Sequence, residues 1–343
     1  MATATGTPAN GVLLVRSEDE AFALLQRALA EEFSDSNVRL DFDGWPTIAI
    51  RLIGEGYDST ITAPMAEGLV DLQRAMNRAY ARLVKGATSA ATLTNEERSS
   101  IQFKAKVDEG SSLITVDLSN FAQTIGVASI GKMSSTQLVI TVLGLAAVAG
   151  GTLAYRWFLK ARSEDKKVEQ QTKERIALSV QETQRHQILA QALSARPELK
   201  HVSEDFDDAR TEILKGIADA KSVEVQGVTL TNSDARAIAS TPRQKAEDVR
   251  LDGVYYIHRI DWSRPDQARL TLIGQDAITR EFPATLNTQD LTAQRKTILQ
   301  SAEWGRQPLQ LKINGTELRG EITTAHIVGV AWPEPTPLTV PPT

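Results

Sequence analysis

A chain of 343 residues that is 41% hydrophobic and 24% charged carries enough apolar material for two folded domains, which excludes a wholly disordered polymer. Its net charge of −5 excludes a gross positive field, so any contact with nucleic acid or an acidic membrane has to come from a local patch. The absence of cysteine excludes disulfides, thiolate metal ligands and a cysteine nucleophile.

Met1 to Gly11 is small and polar, with neither a basic start nor an apolar core, so no signal peptide is expected. GVLLV from Gly11 reads as a strand. Ser17 followed by Glu20 predicts a capping box for a helix running to about Phe33. Strands are expected at Val38 to Phe42 and Thr47 to Ile53. Gly54-Glu55-Gly56 lacks the third glycine of a dinucleotide-binding loop and reads as a hairpin turn. Pro64 to Val84 predicts a helix with Met65, Leu69, Leu72, Met76, Tyr80 and Leu83 on its apolar side. Strands at Ile101 to Val107 and Leu113 to Leu118 flank a DEGSS turn, completing an α+β domain over residues 1–131.

From Met133 to Tyr155 there are 23 residues without a charge, enough for a single central transmembrane helix over residues 132–159. Tyr155, Trp157 and Phe158, with Arg156 and Lys160, read as its interfacial end. Ile140, Gly144, Ala147, Gly151 and Ala154 form a stripe of mostly small residues that suits helix packing in lipid. Gln137, Thr141, Val148 and Thr152 form a partly polar neighbouring stripe. A lone span with two such stripes implies a homo-oligomer. Arg156, Lys160, Arg162, Lys166, Lys167, Lys173 and Arg175 follow the span and only Lys132 closely precedes it, which places the C-terminal part in the cytoplasm. Leu118 to Ile130 reads as a short amphipathic or re-entrant helix, and whether it enters the membrane decides the side of the N-terminal domain.

Residues 160–220 are expected to be a helical stalk, ended by Pro197 and resumed near Ser203. The run Glu204, Asp205, Asp207 and Asp208 is what the first turn of a helix favours. Residues 221–332 form a β-rich domain: a long stretch over Val249 to Trp262, strands at Ala268 to Ile273 and Ile278 to Leu286, then a helix from Thr288 to Ala302. Leu309 to Ile313 follows, with a turn at Asn314-Gly315 and a last strand at Glu321 to Val330. Three strands, a helix and two strands resemble the OB-fold, a small barrel that commonly binds oligonucleotides, although SH3-like barrels and ordinary α+β sheets share that order. Residues 333–343 carry five prolines and read as a disordered tail.

His186, His201, His258 and His326 form no ligand pair, and no nucleophile, phosphate-loop or paired-acid motif appears, so neither a catalytic residue nor a metal or other cofactor is expected. In the barrel, Tyr255, Tyr256, His258, Arg259, Arg269, Arg280 and Lys312 are candidates to stack on bases and pair with phosphates. Along the span, Gln137, Thr141, Gly144, Ala147, Val148, Gly151 and Thr152 are the candidate pore or packing residues.

This layout resembles the membrane effectors of bacterial anti-phage defence, and within them the channel effector of Hailong-type systems. The resemblance implies a single-pass protein of the bacterial inner membrane that is not an enzyme. Its partners would be the bilayer, copies of itself, and a short oligonucleotide or nucleotide signal with the enzyme that makes it. A membrane-anchored scaffold without a pore is the alternative.

Overall fold

The computed structural model describes residues 10–34, 37–54, 57, 60–108, 112–164, 166–240, 246–262, 266–274, 281–319 and 321–333. The chain divides into two compact units, Met1–Pro242 and Arg243–Thr343.

The first unit opens with β1 (Asn10–Val15), α1 (Glu18–Leu29) and β2 (Asn37–Phe42). The two strands pair in parallel, with α1 in the crossover between them. Ser17 caps α1, while the Glu20 carboxylate reaches back to the amide of Arg16 at 2.8 Å, one residue before the partner of a regular capping box. The helix stops before Phe33, and Glu31 takes a left-handed φ of 61°. Next come β3 (Thr47–Ile53), α2 (Ala63–Lys85), α3 (Asn95–Ser100), β4 (Ala105–Val107) and β5 (Leu113–Asp117). The apolar side expected for α2 is buried at all six positions. β3 leads into α2 and not into a hairpin partner; Glu55 and Gly56 lie outside the described residues.

The remaining elements of this unit are α4 (Ser119–Ser129), α5 (Ser135–Gly150), α6 (Thr152–Ser163), α7 (Gln170–Ile176), α8 (Val180–Ala195) and α9 (Pro197–Ile217). They are followed by β6 (Ser222–Val225), β7 (Val228–Thr231) and α10 (Asn232–Ala239). Here the sequence reading needs correction. Among the described residues no single helix is long and apolar enough to cross a membrane, because the uncharged run breaks at Gly151 and its halves bend by 59°. Every residue of α5 from Leu138 to Gly150 is buried, and α1, α4, α8 and α9 pack around it. A helix that is apolar on all sides needs an apolar coat on all sides, and here protein supplies it. The small-residue stripe serves that packing: a Cβ on Gly144 would come within 2.7 Å of Leu199 on α9. Thr141, Ala147 and Val148 are buried in the same core, and Gln137 closes a capping box with Ser134.

The break at Gly151 is held by side chains from three other parts of the chain. Glu18 accepts from the amides of Thr152 at 3.2 Å and Leu153 at 3.1 Å, so a carboxylate sits on the N-terminus of α6. Gln226 donates to the Gly150 carbonyl at 2.7 Å and to that of Thr47 at 2.8 Å, and Arg210 donates to the Val148 carbonyl. A Cβ at position 151 would collide with the Ala147 carbonyl oxygen, a backbone atom, and would crowd Glu18 Oε1 as well, so the joint requires glycine there.

Among the described residues the expected stalk is absent as well. α6 to α9 are separate packed helices, and Pro197 starts α9 at a position where its missing N–H costs nothing. The acidic run therefore lies within α9, where Asp205 pairs with Arg78 at 3.0 Å and Asp207 with Arg210 at 2.6 Å. Leu118 to Ile130 supplies α4, which buries Phe121, Ala122 and Ile125 against its neighbours. Residues 222–231 belong to this unit and not to the barrel, since β6 pairs with β3 in a sheet ordered β4-β5-β3-β6-β7.

In the second unit, β8 (Glu247–Arg250), β9 (Gly253–Asp261), β10 (Gln267–Gly274) and β11 (Phe282–Asn287) precede α11 (Ala293–Gly305). β12 (Leu309–Leu318) and β13 (Glu321–Ala331) follow. Pairings β9-β10-β11-β13-β12-β9 close a five-stranded barrel-like sheet, with β8 added along β12. Among the described strands of this unit only β11 and β13 pair in parallel. Alternate residues point inward: Ala268, Leu270 and Leu272 meet Ala284, Leu286, Leu309, Leu311, Ile313, Ala325 and Ile327, joined by Leu299 and Ala302 of α11. Asn314-Gly315 is not a turn. Asn314 pairs with His326 and with Arg250, and Gly315 is needed because a Cβ would come within 2.9 Å of Leu251 Cδ1 and of the Thr324 carbonyl. The strand reverses after Leu318, where Arg319 takes a left-handed φ of 56°.

Two outcomes follow. At the α2–α9 contact a Cβ on Gly68 would lie 2.8 Å from Ile213 Cα, a backbone atom that cannot swing away. Gly68→Ala should therefore destabilise by about 1–3 kcal/mol despite a helix-propensity gain of about 1 kcal/mol, read from urea midpoints. Burial, the largest influence on Glu18, raises its carboxyl above the usual range against the lowering effect of the two amides and Arg185. The native state then binds this proton more readily than the unfolded one. Its contribution is complete below the unfolded pKa and is lost as pH rises through the folded one. The stability of Glu18→Gln relative to the parent should rise as pH increases above about 4, the ordinary carboxyl range, in urea titrations at each pH.

Candidate functional site

The outer face of β9, β10, β11 and β13 gathers the richest set of polar and aromatic side chains among the described residues of the barrel. Strand register builds it. Asp261 pairs with Arg269, Arg269 with Thr285, Thr285 with His326, and His326 with Asn314, so one transverse row crosses five strands. Arg250 on β8 extends the row by donating to Asn314. Arg250 also holds Asp252, whose carboxyl lies below the usual range, first because it accepts from the Ile313 amide at 2.9 Å and then because of Arg250.

Of the seven ligand candidates, this face brings together four. Tyr256 is exposed on β9, opposite Ile273. A bulge beside Thr271 lets both His258 and Arg259 reach solvent, because two residues of β9 stand against one of β10. Arg269 is half-buried on the neighbouring strand. Lys312 is exposed on β12, two strand positions from β10, where Gly329 leaves room for its stem. Arg280 lies outside the described residues. Tyr255 is a core residue: 7% exposed, it packs edge-on to Phe282 and donates its hydroxyl to the Leu251 carbonyl at 2.9 Å. Burial first, then Asp252, pushes its phenol up.

Beside Arg269 runs an open groove of about 560 Å³ lined by Asp266, Gln267, Thr285, Asn287, Gln289, His326, Ile327 and Val328. Thr285 Oγ1 lies 3.1 Å from the Ala325 carbonyl, to which it donates, and 2.7 Å from His326 Nδ1. With the hydroxyl hydrogen on the carbonyl, the neutral ring donates from Nδ1 and presents Nε2 as an acceptor. Sequence reasoning missed this groove. The alternation Gln267, Arg269, Thr271 marks an outer face, but pairing β11 with β13 joins residues 41 apart and leaves no local signal. Among the described residues no three His, Asp or Glu side chains gather to hold a metal ion.

Of the span candidates, Thr141, Gly144, Ala147 and Val148 lie in the core of the first unit, Gly151 and Thr152 form its broken joint, and Gln137 is exposed in the cap at the start of α5. Comparison with family models, curated proteins and solved structures gives no match.

The two tyrosines separate core from face. Tyr255→Ala should cost about 3–5 kcal/mol of stability, as for other buried aromatic truncations, and Tyr256→Ala about 0.5 kcal/mol or less, measured by chemical denaturation.

Proposed function

We propose that the chain acts by binding, and that its barrel holds a short single-stranded oligonucleotide across the outer face of β9, β10, β11 and β13. The observation that carries this is the convergence on adjacent strands of an exposed aromatic ring, Tyr256, two guanidinium groups, Arg259 and Arg269, and the polar row that runs through Thr285 and His326. Five-stranded barrels with a helix between the third and fourth strands commonly bind single strands on the second and third strands and the adjoining loops. Bases would stack on Tyr256 while the two arginines neutralise phosphates. The oligonucleotide half of the sequence reading thus keeps a physical basis, whereas the channel half loses the span on which it stood.

A second reading, a protein-binding scaffold, has its own support. Trp304 is 89% exposed on α11, and Trp262 and Trp332 are also exposed, the residue type most often found at the centre of protein interfaces.

Titration of the full chain with single-stranded DNA and RNA oligomers at about 50 mM salt tests the first reading under its most favourable condition. Log affinity should fall linearly with log salt. Arg259→Ala and Arg269→Ala should each flatten that slope by about one phosphate. Tyr256→Ala should cost about 1–3 kcal/mol with the slope unchanged, because stacking releases no ions. No binding to any oligomer would overturn the reading in favour of the scaffold.

A further inference from the structure

We infer that the groove between β10, β11 and β13 is a base pocket that prefers nucleobases with an exocyclic amino group, cytosine and adenine over thymine. It rests on the oligonucleotide reading above.

The inference follows from which hydrogen-bonding groups the groove leaves uncommitted. Asn287 Oδ1 already accepts from the Gln289 amide at 3.1 Å, which leaves the Asn287 side chain facing outward as a donor. The Thr285 hydroxyl is engaged by the Ala325 carbonyl and His326 Nδ1, leaving His326 Nε2 as an acceptor. Asp266 uses its backbone carbonyl to accept from the Thr288 amide at 3.0 Å, while its carboxylate stands at the exposed wall of the groove. Gln267 and Gln289 add two amides that can turn either way.

Among the described residues lining this groove there is no lysine or arginine, and there is one carboxylate. A phosphate placed against these residues would meet that negative charge. An amino group would meet the Asp266 carboxylate and His326 Nε2 as acceptors, with the Asn287 amide left to donate to a ring nitrogen or carbonyl of the same base, and a carboxylate accepting from cytosine N4 is an established pairing. Arg269 and Arg259 stand on the adjoining strands, across Thr285 and Thr271, so a strand laid over the face could keep its phosphates on the arginines while a base enters the groove. Three strand spacings of about 4.8 Å and a two-residue offset of about 6.8 Å along the strand separate Arg259 on β9 from His326 on β13 by roughly 16 Å, a span of more than one nucleotide. The groove's volume lies within the range of small-ligand sites, about 300–1,000 Å³.

The test is competition among oligo(dC), oligo(dA) and oligo(dT) of equal length for the full chain at about 50 mM salt. Oligo(dT) is expected to bind about tenfold more weakly than oligo(dC). Asp266→Asn should abolish most of that preference while leaving the salt slope of Arg269-dependent binding intact. Since Asp266 is exposed, the substitution removes a charge without opening the core, and an unchanged unfolding midpoint verifies this. Equal binding of all three oligomers, or a preference that survives Asp266→Asn, overturns the base pocket and leaves the oligonucleotide face standing. Absence of binding to every oligomer overturns the functional reading and the pocket with it.

Discussion

Helix α5 has no polar side, and the architecture of the first unit is arranged around covering it. Thirteen consecutive residues from Leu138 to Gly150 are buried, and the surrounding helices α1, α4, α8 and α9 each turn apolar residues toward the same core. Covering such a helix with protein requires that it end where the coat ends. The chain meets this by bending at Gly151 and answering the exposed backbone groups with Glu18, Gln226 and Arg210. The bend, the capping carboxylate and the buried arginine are parts of one solution. Arg210 in turn keeps its charge balanced by Asp207, so the helix that covers α5 also secures its end.

The barrel depends on a different constraint, closure through the parallel β11–β13 pair. Closing the sheet gives each core strand two neighbours and removes the free edges that an open sheet would present. It also fixes which side chains share the outer surface. Thr285 and His326 meet only because closure sets these strands side by side. The short contact between Thr285 Oγ1 and His326 Nδ1 holds the ring in place, so fold and surface chemistry are linked at one residue.

Patterns that were local were legible in the sequence. α2 showed its six apolar positions at helical spacing, and the barrel strands showed their alternation. Thr94 and Glu97 also form a capping box, but the helix it starts is only six residues long and left no periodic signal. The uncharged run of α5 was ambiguous in principle, because lipid and protein coats demand the same composition. The discriminating signal lay elsewhere: α9 carries Leu199, Val202, Phe206, Ile213, Leu214 and Ile217, a stripe that a solvated stalk could not cover. Asn314-Gly315 misled for a related reason. The pair has strong turn propensity, yet crowding by Leu251 and Thr324 accounts for the glycine, and the reversal falls five residues later. For the candidate face, residue type alone gave Arg259 and Arg269, while the bulge that exposes Arg259 and the groove at His326 needed cross-strand register. Tyr255 and its exposed neighbour Tyr256 differ only in the side of the strand they occupy, and without register the two were indistinguishable.

The joint at Gly151 also orders events during synthesis. Glu18 leaves the ribosome well before the amides it caps, which lie 134 and 135 residues downstream, and Gln226 comes 76 residues after the Gly150 carbonyl that it seals. Until that glutamine emerges, the nascent chain holds an apolar helix with an unfinished end and no β6 strand to pair with β3. Almost the whole first unit must therefore be made before its core can shut, and the growing chain exposes its stickiest segment throughout that interval.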